Sequence, residues 1–224
     1  MITHKTWKPI TLISAILLSM TIDCCKAQAA DLETLTVAGG CFWCVESDFE
    51  TIEGVVGVTS GYTGGDTPNP EYREVARGGT GHLEAVEINY DPEIISADRL
   101  LRLFVRSIDP LDADGQFCDR GAHYSTAIFV SNPAEKALAE QVISEGEAQI
   151  GQPFATRILP AKPFYPAEAF HQDYYKSDKI TLTRFGPKTR AEAYTLYRKG
   201  CGRDARVAQV WGNDAPFVGK YLTN

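Results

Sequence analysis

The chain has 224 residues, 44% of them apolar and 23% charged, enough apolar material for one sizeable core that needs no disulfide to hold it. Its 22 basic and 29 acidic residues give a formal charge of −7, which argues against non-specific binding to nucleic acid or anionic lipid.

The first segment does not read as part of the domain. Lys5 and Lys8 precede an uncharged run from Ile10 to Ile22, and Ala27-Gln28-Ala29 supplies an A-x-A cleavage pattern. This predicts a secretory signal peptide over residues 1–29, too short in its apolar core for an ordinary membrane span. Lipid attachment at Cys24 is the weaker alternative, because Thr21-Ile22-Asp23 lacks the expected small residues. Removing Lys5, Lys8, Lys26 and Asp23 takes 22 basic and 29 acidic residues to 19 and 28, a formal charge of −9. Residues 30–224 are then expected to form one exported domain, periplasmic or secreted, with four cysteines: Cys41, Cys44, Cys118 and Cys201.

Strand and helix signals alternate along that domain. Leu35–Ala38 reads as a strand, and Gly39-Gly40 as a turn into a helix from Phe42 to about Ile52. Val55–Tyr62 is a second strand, Thr63–Pro70 a Gly/Pro/Asn loop, and the alternation of Glu84–Tyr90 a third strand. Ser96 or Asp98 can cap a helix running to Ile108, with Leu100, Leu103, Phe104 and Ile108 on its apolar face. A polar loop over Asp109–Gly121 precedes a strand at Thr126–Val130, and Pro133 opens a helix to about Gln149. Thr156–Leu159 is a short strand, Pro163–Tyr175 is rich in proline and aromatics, and a last helix lies near Arg190–Lys199. This order predicts an α+β domain with helices packed on one sheet.

Chemistry concentrates in Gly40-Cys41-Phe42-Trp43-Cys44-Val45-Glu46, where two thiols flank two large aromatics at the start of a helix. Orphan backbone N–H groups and the positive end of the helix dipole favour a thiolate at Cys41. Other motifs follow in order: Gly61-Tyr62-Thr63-Gly64-Gly65, Asn69-Pro70-Glu71-Tyr72, Gly81-His82-Leu83-Glu84-Ala85-Val86 and Tyr90-Asp91-Pro92. Asp119-Arg120-Gly121 with Tyr124, and then Ala167 to Tyr174, complete the set.

These stretches, from about Thr36 to Tyr175, resemble the peptide-methionine (S)-S-oxide reductases, the A-type methionine sulfoxide reductases. The resemblance implies a ferredoxin-like two-layer α/β sandwich with a mixed sheet and a long irregular C-terminal segment, about 186–224. It also implies reduction of the S-epimer of methionine sulfoxide, free or in oxidised proteins, by a monomer that uses no cofactor or metal. A thioredoxin-like dithiol would recycle it. By the same resemblance Cys41 is the nucleophile, Glu84 the acid that protonates the sulfoxide oxygen, and Tyr72 and Tyr124 phenol donors to that oxygen. Asp119 becomes an orienting partner near the thiol, and Phe42 and Trp43 wall the pocket for the S-methyl group. Glu46 reads as an ordinary helix residue, and His82 and His171 as hydrogen-bonded structural histidines.

Attack leaves a sulfenic acid, which a second thiol converts to a disulfide. Two arrangements fit. In the preferred one Cys201, flanked by Gly200 and Gly202 on a flexible tail, reaches the buried Cys41. In the other Cys44 resolves Cys41 locally, while Cys118 and Cys201 staple the tail to the active-site loop. Two other classes compete: a thioredoxin-like oxidoreductase using Cys41 and Cys44, and a module binding zinc through all four cysteines. The aromatics inside the C-x-x-C pair weaken the first, and the lack of a second C-x-x-C weakens the other.

Overall fold

A computed structural model describes residues 1–2 and 31–219, so the signal-peptide assignment lies outside the described residues, Met1 and Ile2 apart. Its framework is built from β1 (Glu33–Gly39), α1 (Phe42–Phe49), β2 (Val55–Thr63), β3 (Leu83–Tyr90), α3 (Ala97–Arg106) and β6 (Thr126–Val130). A short helix, α2 (Tyr72–Arg77), and two two-residue strands, β4 (Gly115–Gln116) and β5 (Asp119–Arg120), sit in the intervening loops. The framework strands lie in the order β6-β1-β3-β2, each antiparallel to its neighbours, which is the split β-α-β arrangement of ferredoxin-like folds. β7 (Arg157–Pro160) extends the sheet in parallel beyond β6, and β8 (Tyr165–Pro166) pairs antiparallel with β2. The sheet is mixed, as expected.

The pleat decides which side chains meet the helices. Leu35 and Val37 of β1 and Val86, Ile88 and Tyr90 of β3 share a core with Phe42, Val45 and Phe49 of α1. Ala38, Leu83 and Ala85 fall on the opposite face in a smaller cluster. Because successive strand residues alternate faces, Glu84 is forced into the helix-facing row of Val86 and Ile88. It is 2% exposed there.

Ser96, not Asp98, caps α3, its side chain accepting from Arg99 N, while Asp98 bonds Arg102 one turn on. The buried face of α3 is Leu100, Leu101, Phe104 and Val105, followed by Ile108; Leu103 is only partly buried. Each such side chain stabilises the fold by about 1.5–3 kcal/mol, and Phe104→Ala would cost about 3–5 kcal/mol with the cavity it leaves. α4 (Pro133–Ile150) starts at its Asn132 cap and ends at Gly151 in the left-handed region, φ 77.

The C-terminal segment, expected to be irregular over about 186–224 apart from a helix near Arg190–Lys199, is more ordered than that. It forms a hairpin of β9 (Ile180–Thr183) and β10 (Gly186–Thr189), then α5 (Arg190–Cys201) and α6 (Arg203–Trp211). A reciprocal cap between Thr189 and Glu192 starts α5, and Gly202 at φ 74 ends it and turns the chain into α6. Val207 and Trp211 of α6 enter the main core, where Trp211 Nε1 donates to the carbonyl of Ile108 at 3.1 Å. The glycines around Cys201 therefore shape a corner between two packed helices.

Candidate active site

Cys41 is the N-cap residue of α1, and Phe42 begins the helix. Gly40 before it has φ +81, and a Cβ there would lie 2.5 Å from Gln116 Cβ. Glycine thus lets the loop after α3 close over the start of α1. That loop is pinned by the buried amide of Gln116, which accepts from Asp109 N at 2.9 Å and donates to Asp109 O at 2.7 Å. It delivers Asp119 on β5, and Tyr124 on the 3₁₀ turn Ala122–Tyr124, to the same place. Tyr72, the first residue of α2, is held by its N–H donating to Glu168 Oε1 at 3.0 Å.

All of these converge on one cavity of about 370 Å³. Cys41, Cys44, Glu84, Tyr72, Asp119 and Tyr124 border it, with Phe42 and Trp43 on its wall and Cys118 and Cys201 at one side. A larger groove of about 670 Å³ around Gly79, His123 and Arg157 contains none of these ten residues. Phe42 is buried in the core, and Trp43 stacks on Tyr174 with ring centroids 3.8 Å apart.

The electrostatics follow from burial. Glu84 Oε2 accepts from Phe42 N at 3.1 Å. Burial nevertheless pushes its carboxyl up to about 8, assisted by the nearby charges of Asp119 and Cys44. Burial also raises Tyr72, Tyr124 and Asp119, although Arg203 and Arg120 pull Asp119 back. The Tyr72 and Tyr124 hydroxyls share a hydrogen bond.

The thiols depart from the simple helix-start argument. Cys41 hydrogen-bonds Cys44; that bond, burial and the neighbouring carboxylates raise Cys41 well above the usual thiol range. The same bond, with Arg203 and Arg198 behind it, lowers Cys44 to about 7 against burial. The helix terminus acts on both residues of this first turn, but the buried cations stand behind only one.

Cys118 and Cys201 form a disulfide, with Cα atoms 5.0 Å apart, whereas Cys41 and Cys44 are free. Cys201 is the last residue of α5 rather than part of a flexible tail, and its sulfur is bonded to Cys118. The same bond takes two of the four thiolates that a zinc site would need. An Asp119 carboxylate oxygen lies 3.9 Å from each of the two sulfurs.

Residues 33–199 match the peptide methionine sulfoxide reductase family. The chain belongs to that family. It is 47% identical over 187 residues to the peptide methionine sulfoxide reductase MsrA of Bacillus licheniformis, covering 83% of this chain and 97% of that protein. It is 43% identical over 204 residues to MsrA 2 of Caulobacter vibrioides, covering 91% and 97%. Methionine sulfoxide reductase A of Corynebacterium diphtheriae superposes with a TM-score of 0.59 at 33% identity, over 66% of this chain and 75% of that one. The protein is a peptide methionine sulfoxide reductase of the A type, a thiol-dependent oxidoreductase.

Several residues of this reductase site were not legible as such. Glu46 is fully buried, accepting from Ser60 Oγ at 2.9 Å and Asp173 N at 2.7 Å, and burial raises it to about 7. It ties α1 to the segment that carries His171 and Tyr174. His82 is hydrogen-bonded as expected: Nδ1 accepts from Gly65 N and Nε2 donates to Thr67 O. His171 is not. It is buried among Phe42, Trp43 and Tyr72, with neither ring nitrogen hydrogen-bonded among the described residues, and burial lowers it to about 4. Arg198, from the expected last helix, and Arg203, from the unexpected α6, also border the cavity. No motif spacing could have found them, since they reach the cysteines only through packing of α5 and α6.

Proposed function

We propose that the protein reduces the S-epimer of methionine sulfoxide, free or in oxidised proteins, through Cys41, and that Cys44 resolves the product. The carrying observation is the pairing of a buried Glu84, protonated near neutral pH, with the Cys41 sulfur on one aromatic-walled cavity. Glu84 gives its proton to the sulfoxide oxygen as Cys41 attacks the substrate sulfur. Tyr72 and Tyr124 donate hydrogen bonds to the same oxygen, and Asp119 orients the thiol. Phe42 and Trp43 enclose the S-methyl group, a contact worth about 0.3–1.5 kcal/mol that selects shape more than it adds affinity.

Cys41 loses its proton toward Cys44 and acquires the oxygen, leaving a sulfenic acid and methionine. Cys44 then forms a disulfide with Cys41 and releases water, and an external dithiol of the thioredoxin type reduces that disulfide. Cys118–Cys201 is assigned the staple role, holding the Asp119 loop on the end of α5.

The charged start, apolar run and A-x-A pattern support export of the mature chain, and a disulfide is in keeping with an oxidising compartment. The deciding experiment is single turnover with each sulfoxide epimer. Cys41→Ser should make no methionine from the S-epimer, and turnover by that variant refutes the mechanism. N-terminal sequencing of exported protein should begin at residue 30.

A further inference from the structure

We propose that Arg184 is a specificity-determining residue that binds the α-carboxylate of methionine S-sulfoxide when no peptide bond follows it, the free amino acid above all. The inference rests on the reading of the Cys41 cavity above and deepens it. It assigns a role to the turn of the β9–β10 hairpin, which carries none of the recognised motifs.

Arg184 and Phe185 make the turn between the paired residues Thr183 and Gly186. Thr183 Oγ1 closes it, donating to Gly186 O at 2.8 Å and accepting from Phe185 N at 3.0 Å. Gly186, at φ +85, supplies the left-handed residue that the turn needs. The turn is thus held to one shape, and Arg184 borders the catalytic cavity together with Cys41, Glu84 and Tyr72. Its guanidinium lies over the Phe185 ring at 4.9 Å and the Tyr197 ring at 5.8 Å. Tyr197 comes from α5 and borders the same cavity. A Cβ on Gly200 would stand 3.3 Å from Arg184 Nη2, so the bare backbone there gives the guanidinium room against the end of α5. Cys201 follows directly, with its sulfur 3.9 Å from Asp119 Oδ2. These contacts place the cation at the cavity rim, on the side of the staple.

The other two arginines on this cavity are already engaged. Arg198 and Arg203 are 3% and 2% exposed. Arg198 donates to Asp48 and Asp204, and Arg203 to the carbonyls of Gly39 and Ser107. Arg184 is exposed, and its guanidinium has neither a carboxylate nor a carbonyl partner among the described residues. Stacking on two rings fixes the guanidinium plane and leaves its N–H fork free for two parallel bonds to a carboxylate. In methionine sulfoxide only the short side chain separates the sulfur from the α-carboxylate. One molecule can therefore present its sulfur to Cys41 and its carboxylate to the rim of a cavity of about 370 Å³. Inside a polypeptide that carboxyl is a neutral amide carbonyl, a weaker acceptor from a cation. Arg184 thus adds affinity where the carboxylate is free.

The test is steady-state reduction by the mature protein, recycled with dithiothreitol at low ionic strength. The substrates are N-acetylmethionine S-sulfoxide, its N-methylamide, and two amide-blocked dipeptides in which glutamate or glutamine follows the sulfoxide. The readout is the ratio of kcat/KM for the acid to that for the N-methylamide, which cancels any change in the active fraction. Arg184→Gln should lower this ratio about tenfold, the usual worth of a hydrogen bond to a charged group. The loss should fall on KM, because the contact is the same in the ground state and the transition state. Arg184→Lys, which keeps the charge without the fork, should lose only about threefold. Added salt should lower the ratio in the wild type and leave that of Arg184→Gln in place.

An acid-to-amide ratio in Arg184→Gln within about twofold of the wild type overturns the proposal. So does a loss shared equally by acid and amide, which would make Arg184 a support of the hairpin alone. An effect confined to the glutamate dipeptide moves the contact to acidic side chains of protein substrates and overturns the assignment to the α-carboxylate. The underlying reading fails by a separate sign: turnover of either N-acetyl substrate by Cys41→Ser.

Discussion

Replacing Glu84 with glutamine keeps the shape of the side chain and removes its acid. Burial moves the Glu84 carboxyl from 4.5 to about 8, a differential cost to the charged form on the order of 5 kcal/mol. With that value about nine carboxyls in ten are protonated at pH 7 and about one in ten at pH 9. The ratio of wild-type to Glu84→Gln rates for methionine formation in single turnover should therefore fall about tenfold between these pH values. Taking the ratio cancels the opposing rise in thiolate. At pH 7 the ratio itself should be about 100 or more, the usual worth of a positioned general acid.

The same residue predicts a stability effect, whose sign follows from proton counting. The native carboxyl holds a proton that the unfolded chain has lost between pH 4.5 and about 8. Wild-type stability should therefore be fully present below pH 4.5 and fall as pH rises through that window, a slope that Glu84→Gln removes in part. Glu46, raised to about 7, acts in the same direction over a narrower window. A pH-independent ratio of rates, or a variant within threefold of wild type at pH 7, would show that Glu84 is not the acid.

Other consequences can be measured separately. Cys44→Ser should form one equivalent of methionine and then stop, with sulfenic acid on Cys41 detectable by diketone capture; a disulfide from Cys41 to Cys201 would restore the tail arrangement. Disconnecting the staple by Cys118→Ala with Cys201→Ala opens a loop of 83 residues. It should lower stability to urea by about 2–4 kcal/mol while leaving the first methionine burst in place. Arg198→Met would remove the cation between the buried Asp48 and Asp204 and should cost about 3–5 kcal/mol in urea unfolding, a larger loss than Arg102→Met, whose carboxylate partners are exposed.

The local readings that held are those set by short-range rules. The turn at Gly39-Gly40, the Ser96 cap, Pro133 at the start of α4 and the alternation of β3 depend on neighbours within a few residues, and their elements fall within a few residues of expectation. Alternation even contained the burial of Glu84, because it shares parity with Val86 and Ile88. A strand glutamate ordinarily faces water, so the resemblance was needed to favour the inward reading. In the C-terminal segment the helix near Arg190–Lys199 was legible as α5, but its packing, the hairpin before it and α6 after it were not, for the opposite reason. Charged and polar residues crowd α5 and α6, and their few apolar anchors, Ala193, Tyr194, Val207 and Trp211, acquire meaning only against α1 and α3.

The amino-acid order by itself carried the motifs of the family: a thiol at a helix start beside two aromatics, followed in sequence by Tyr72, Glu84, Asp119 and Tyr124. Only the tertiary structure decided which sulfur partners which. Cys118 meets Cys201 across 83 residues, and Arg198 meets Asp48 across 150. The proton affinities of Cys44 and Glu84 depend on burial and on such distant charges, and neither is a property of the segment in which the residue is written.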